Sequence, residues 1–280
     1  MGGYSCMKKA GMIQYHSLRI ILLVVICLFG SSRASFAADD FYLYGTVESF
    51  VWKEFADNGS RVVKESGPLI GIGLAYSHEF EDRITFSPKG EIFFGSVDYD
   101  GQTQVGVPVT STVDYFGFKF DGDLSIKYKV TQRFSLEPFG GLGLRWWVRD
   151  IKDGTTSTGA VASGYTEAWT TLYGRLGVRG GIDVSTQMMM FLETGVMLPF
   201  FNENTAYLSD AGLGPDVTIH PGRQASFFAE AGLKISRVKA SLFYDSMRFS
   251  RSANVVSGAN IYWQPQSTAD IYGVKVGVVF

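Results

Sequence analysis

The sequence predicts an all-β chain folded as a single antiparallel transmembrane β-barrel of about ten strands, with eight or twelve as the alternatives. Three observations point there. The 280 residues are 46% hydrophobic and 15% aromatic, with 33 Gly and only 8 Pro, a mixture that favours strands and turns over helix bundles. Long stretches then alternate strictly between apolar and polar residues, the period of a strand with two different faces. Finally, an export-type leader opens the chain, yet nothing after residue 38 offers the ~18 consecutive apolar residues of a spanning helix. The formal charge of −2 gives no basic surplus for nucleic acid.

Residues 1–37 have the make-up of a cleavable signal peptide. Lys8, Lys9 and Arg19 make a basic start with no acid before Asp39. An apolar run from Ile20 to Phe29 follows, and the segment ends in Ser35-Phe36-Ala37. That run falls well short of the ~20 residues that cross a bilayer as a helix. Cleavage after Ala37 leaves residues 38–280 as the barrel. Cys6 and Cys27 go with the leader, so no disulfide or Cys-based metal site is expected. Ile26 stands before Cys27 where a lipoprotein signal would want a small residue. Removing residues 1–37 takes four basic residues and no acid, leaving 21 Lys+Arg against 27 Asp+Glu, a net of −6.

Ten strands are expected, near 41–54, 67–80, 83–98, 114–130, 133–149, 169–185, 188–200, 225–236, 238–249 and 270–280. The first and third separate their faces poorly and are placed mainly by the connections around them. The fourth is clearest: Phe116, Phe118, Phe120, Leu124, Ile126, Tyr128 and Val130 alternate with Tyr115, Lys119, Asp121, Asp123, Lys127 and Lys129. In the fifth, Phe134, Leu136, Leu142, Leu144, Trp146 and Val148 alternate with Glu137, Arg145, Trp147 and Arg149. The sixth sets Leu172, Leu176, Val178, Ile182 and Val184 against Tyr173, Arg175, Arg179 and Asp183. Across seven such columns (116–130, 134–148, 172–184, 188–198, 227–235, 238–246 and 272–280), 44 apolar-face positions hold no Asp, Glu, Lys or Arg. A soluble sandwich also alternates, but its strands average about five or six residues and its buried face has no such absolute requirement. A charge facing lipid at mid-bilayer costs ~2–4 kcal/mol, so an unbroken apolar column is what hydrocarbon demands.

Connections supply the topology. Short links at Glu81-Asp82, Thr131-Gln132, Ser185–Gln187 and Ser236-Arg237 alternate with longer ones near 55–66, 99–113, 150–168, 201–224 and 250–269. Tight periplasmic turns and longer external loops follow that rhythm, and an even strand number lets first and last strands close antiparallel.

The final strand carries a family resemblance. Tyr272, Val274, Val276, Val278 and the terminal Phe280 form one apolar column, similar to the closing strand of bacterial outer-membrane barrels. The resemblance implies that Tyr272 and Phe280 belong to the signal read by the barrel-assembly machinery. It also implies a monomer in the bacterial outer membrane, among lipid and lipopolysaccharide. Phe80, Phe86, Phe134 and Phe280 near the turns, with Trp52, Trp146, Trp169 and Trp263 toward the loops, fit two aromatic girdles.

A ten-stranded barrel is narrow, roughly 20 Å across its backbone for strands ~4.8 Å apart tilted ~40°. A polar lumen network is expected from Glu91, Glu137, Glu193 and Glu230 with Lys119, Lys127, Arg145, Arg149, Arg175, Arg179 and Lys275. Near balance of sign lets these pair and fill the interior, which points to a structural or surface-interaction role, with a narrow solute channel as the alternative. Gly140, Gly141, Gly143, Gly177, Gly180 and Gly181 are expected to make room for Arg and Trp side chains. A second alternative is a rim protease resembling the omptins, ten-stranded barrels that activate water between an Asp pair and an Asp–His pair. Asp98 and Asp100 match the first pair, but Asp216 and His220 lie four apart in a loop rather than two apart on a strand. No cofactor or metal motif occurs. Loop aromatics Tyr207, Tyr262 and Trp263, and a rim cluster of Tyr165, Glu167 and Trp169 beside Arg149 and Asp150, are the remaining places for an external ligand.

Overall fold

A computed structural model describes residues 39–80, 83–103, 105–258 and 260–280. The expected leader, with Cys6 and Cys27, and the Glu81-Asp82 turn lie outside the described residues. Ten long strands follow in chain order: β1 (Asp39–Phe55), β2 (Arg61–Phe80), β3 (Ile84–Gln102), β4 (Pro108–Ile126), β5 (Phe134–Ile151), β6 (Thr166–Asp183), β7 (Met188–Tyr207), β8 (Ser226–Ile235), β9 (Val238–Ser250) and β10 (Gln266–Val279). Each pairs antiparallel with the next. β1 also pairs with β10, from Tyr42↔Val279 to Phe55↔Gln266. The sheet closes on itself and so leaves no long edge, which lets the wall satisfy its backbone groups without water.

Ten strands agree with the sequence reading, but many boundaries move. β2 begins at Arg61, β3 runs to Gln102 and β4 begins at Pro108, so the first two outer connections shrink to 56–60 and 103–107. β7 continues to Tyr207, and Val217–Ile219 folds back against its end. Val255–Ser257 and Asn260–Tyr262 form a hairpin inside the fifth loop. The physical reason is that polarity contrast marks only the part of a strand that faces apolar surroundings. Beyond it, outward residues such as Lys64, Asp98 and Asp114 are as polar as a loop, while the backbone pairing continues.

Side-chain direction sorts the residues by polarity. Val47 (60% exposed), Ile72 (60%), Leu142 (65%), Phe227 (60%) and Leu242 (67%) all point outward, and comparable apolar residues on the other strands complete the band. Such a contiguous apolar surface far exceeds what a monomer shows to water. The inward residues are the buried ones, and charged and aromatic side chains stand among them beside aliphatic and neutral polar ones. A Cβ on Gly143 would strike the Tyr173 ring, and one on Gly177 would strike the Phe139 ring and the Thr194 carbonyl. Gly143 and Gly177 thus accommodate Tyr and Phe rings rather than the expected Arg and Trp, Gly141 lies against Asp123 and Gly181 against Ser135, while Gly140 and Gly180 sit on the outward face with ordinary spacing.

Candidate functional site: a filled lumen

The outer half of the lumen is closed by an aromatic cluster. Trp52 from β1, Trp147 from β5, Trp169 from β6 and Phe249 from β9 meet at the centre with at most 2% exposure. Trp147 and Trp169 stack, Trp52 meets Trp169 edge-on at 5.2 Å, and Phe249 lies 5.3 Å from Trp169. Phe50, Leu69, Val97, Val113, Met247 and Ile271 pack around them. Trp52 and Trp169 are therefore core residues and not members of an outer girdle. Both lie on strand ends near the loops, where a Trp suits headgroups or a packed interior equally, and only the register decides. Trp146 does face outward, stacked on Phe118 at 5.7 Å.

Arg149 sits just beyond the tryptophans. Its guanidinium binds Glu167 at 2.8 Å, Glu54 at 3.3 Å and Glu65. Tyr115 donates its hydroxyl to Glu65. The Trp52 indole donates to Glu54 at 2.9 Å, the Trp169 indole to Glu167 at 2.8 Å, and the guanidinium lies 5.1 Å from the Trp52 ring. Charge layer and aromatic layer are thus joined by hydrogen bonds, the condition under which buried charge is tolerated.

Below the tryptophans runs an ion-pair network. Lys119 bridges Glu48 at 2.9 Å and Glu91 at 2.7 Å. Arg145 pairs with Asp245, and Tyr173 donates to Asp121 at 2.8 Å. Arg175 contacts Asp121 at 2.7 Å and Glu193 at 3.1 Å, while Arg179 contacts Asp123 at 2.5 Å and Glu193 at 2.7 Å. Lys275 binds Glu230 at 2.8 Å, where Ser241 also donates. Lys127 stands 3.6 Å from Glu79 and 4.0 Å from Glu137, with all three side chains partly exposed. A cavity of about 50 Å³ remains between Tyr44, Lys119, Arg145 and Lys275, room for a few waters. Arg145 Nη1, Asp245 Oδ1 and Tyr44 Oη, all without a hydrogen-bond partner, belong to residues lining it.

The network joins several residues singled out in the sequence and adds others that were not. Glu48, Glu54, Glu65 and Asp245 are essential partners absent from the sequence-derived set, as are Asp121 and Asp123, already visible on the polar face of the fourth strand. The signal for Glu48 and Glu54 was their position in the column Tyr42, Tyr44, Glu48, Trp52, Glu54, which only a known register identifies as inward.

At the outer rim, Lys152 binds Asp114 at 2.8 Å and Asp150 at 2.5 Å, and these carboxylates hold its ammonium pKa above the usual lysine value. Asp100 pairs with Arg61 at 2.9 Å. Asp216 accepts the Ser209 backbone N–H at 3.0 Å, and His220 Nδ1 lies 3.2 Å from the Asn202 carbonyl, so both shape the fourth loop. Tyr262 packs on a loop core of Ala206, Leu208, Val217 and Ile219. Trp263 stays 45% exposed with Arg251 5.2 Å from its ring. Tyr272 and Phe280 point outward, 55% and 67% exposed, and the Phe280 N–H donates to the Phe41 carbonyl across the closure seam. Among the described residues no group of three or more His, Cys, Asp or Glu is placed to hold a metal ion.

No protein-family model matches the chain, and no curated protein matches its sequence. Solved structures do match in fold. The outer membrane protease OmpT of Escherichia coli superposes with a TM-score of 0.57 at 9% identity, covering 86% of this chain and 94% of OmpT. An outer-membrane channel of Pseudomonas putida F1 (TM-score 0.38, 13% identity, 90% and 98% covered) and the attachment protein Ail of Yersinia pestis (0.32, 9%, 87% and 100%) are more distant. The OmpT likeness is one of architecture: a closed antiparallel barrel of the type found in bacterial outer membranes.

Proposed function

We propose that the protein is an outer-membrane barrel sealed by its own side chains, serving a structural or surface-interaction role through its outer rim. The tryptophan cluster carries this reading. Three packed indoles and Phe249, none more than 2% exposed, argue for a closed lumen, and the ion pairs beneath them use their charges on one another. The apolar outward band supports placement in a membrane, where lipid and lipopolysaccharide surround a monomer. The closing column ending in Tyr272 and Phe280 suits recognition by the barrel-assembly machinery. The loops, with Trp263 and the hairpin around it, are the surface left for an external partner.

Conductance tests the seal. Pure protein in planar bilayers at neutral pH is expected to give a flat baseline. Discrete, salt-dependent steps from the unmodified chain at neutral pH would replace this reading with the narrow channel. Cleavage of basic peptides that is lost in His220→Ala would replace it with a rim hydrolase.

A further inference from the structure

The charge layer above the tryptophans holds more acid than base. Glu54, Glu65 and Glu167 reach it from β1, β2 and β6, and among the described residues Arg149 is the one cation paired with them. The other titratable groups that face it are phenols: Tyr99 from β3, Tyr115 from β4 and Tyr165 just before β6. Tyr115 gives Glu65 a hydrogen bond but no charge. With every carboxylate ionised, one guanidinium faces three anions, and the most exposed of these side chains, Glu54, is 11% accessible. Buried like charges this close take up a proton rather than remain ionised together.

The same carboxylates grip the seal. Glu54 and Glu167 accept the indole N–H groups of Trp52 and Trp169. A shift of either carboxylate therefore pulls on an indole. The cluster also stands clear of the apolar band, because outward neighbours at its level are Lys53, Lys64, Ser66, Asp114 and Asp150. Glu54 stands one residue from the end of β1 and Glu167 one residue from the start of β6, so the outer mouth is the side from which the layer is approached.

We propose that Glu54, crowded by Glu65 and Glu167 around the single Arg149 guanidinium, holds a proton that latches the tryptophan seal through Trp52, so that alkaline conditions outside the barrel loosen it. The proposal rests on the sealed-barrel reading and adds to it a chemical trigger.

The test uses the full protein in planar bilayers, with the outer chamber stepped from about pH 5 to about pH 9, the range in which buried carboxyls titrate. Tryptophan emission is followed in parallel in liposomes. The expected result is silence at acid and neutral pH, then steps and red-shifted emission on the alkaline side. Opening should rise roughly tenfold per pH unit below the midpoint, as loss of one proton requires. Glu54→Gln and Glu65→Gln each keep an acceptor and remove one charge, and each is expected to stay closed throughout. Wild-type protein that remains silent with unchanged emission overturns the latch and leaves the seal standing. Equal conductance at every pH overturns the seal itself. An unaltered pH response in both variants also overturns the latch, because titration then lies in the lower network. Should one variant fail to fold, the other and the wild-type titration decide.

Discussion

Trp147 and Trp169 stand directly opposite each other on β5 and β6, with ring centroids 5.4 Å apart and planes within 10° of parallel. Trp169 also touches Trp52 and Phe249. Trp169→Ala removes the shared member of the cluster and is expected to cost ~3–5 kcal/mol, the range for emptying an aromatic site in a core. Urea unfolding in detergent measures the loss. The same variant should show conductance steps that the wild type lacks.

Arg149→Met is expected to be at least as damaging. It keeps the side-chain bulk but leaves Glu54, Glu65 and Glu167 facing one another without a cation, and breaking a buried pair typically costs ~3–5 kcal/mol. Lys152→Ala also deletes two ion pairs, yet its side chain is 44% exposed, so the cost should stay below ~1 kcal/mol. Paired unfolding curves for the two variants check the contrast.

The apolar band gives a sharper comparison. Leu142 on β5 and Val161 in the third loop are both well exposed, 65% and 75%. Leu142→Arg should cost ~2–4 kcal/mol if that exposure is to hydrocarbon, whereas Val161→Arg should change stability by no more than ~0.5 kcal/mol. Equal, small effects in folding assays with lipid vesicles would remove the membrane from the account.

Glycines on opposite faces should behave oppositely. A Cβ on Gly143 runs into the Tyr173 ring and Asp121, while one on Gly174 meets no heavy atom within 4 Å. Gly143→Ala is expected to lose ~1–3 kcal/mol through overpacking. Gly174→Ala should be neutral or gain up to ~1 kcal/mol, since a strand glycine carries extra chain entropy. Melting temperatures of the two variants suffice.

The outward wall was legible in the sequence because lipid-type surroundings impose one rule on every position of a column. Leu124, Leu142, Leu176 and Val276 obey it without knowledge of any partner. The interior obeys pairwise rules instead. Glu54 matters because Arg149, 95 residues later, comes to meet it, and no local pattern announces that meeting. The same holds for Arg145, whose partner Asp245 lies 100 residues away. Trp52 and Trp169 misled for a related reason: an indole near a strand end suits either an interface or a core, and the mixed column of β1 did not say which. The outer strand ends were illegible because pairing persists there after the contrast between faces has gone.

The buried ion pairs, the packed tryptophans and the glycine hollows beside Tyr173 and Phe139 lie on the inner wall, so the instructions for register and closure are carried chiefly there. The opposite wall has only to be compatible with its surroundings and specifies little. Recolouring that wall, with Lys, Glu and Gln in place of Ile72, Leu142, Leu242 and their counterparts, should therefore leave the barrel's blueprint intact and yield a version that dissolves in plain buffer.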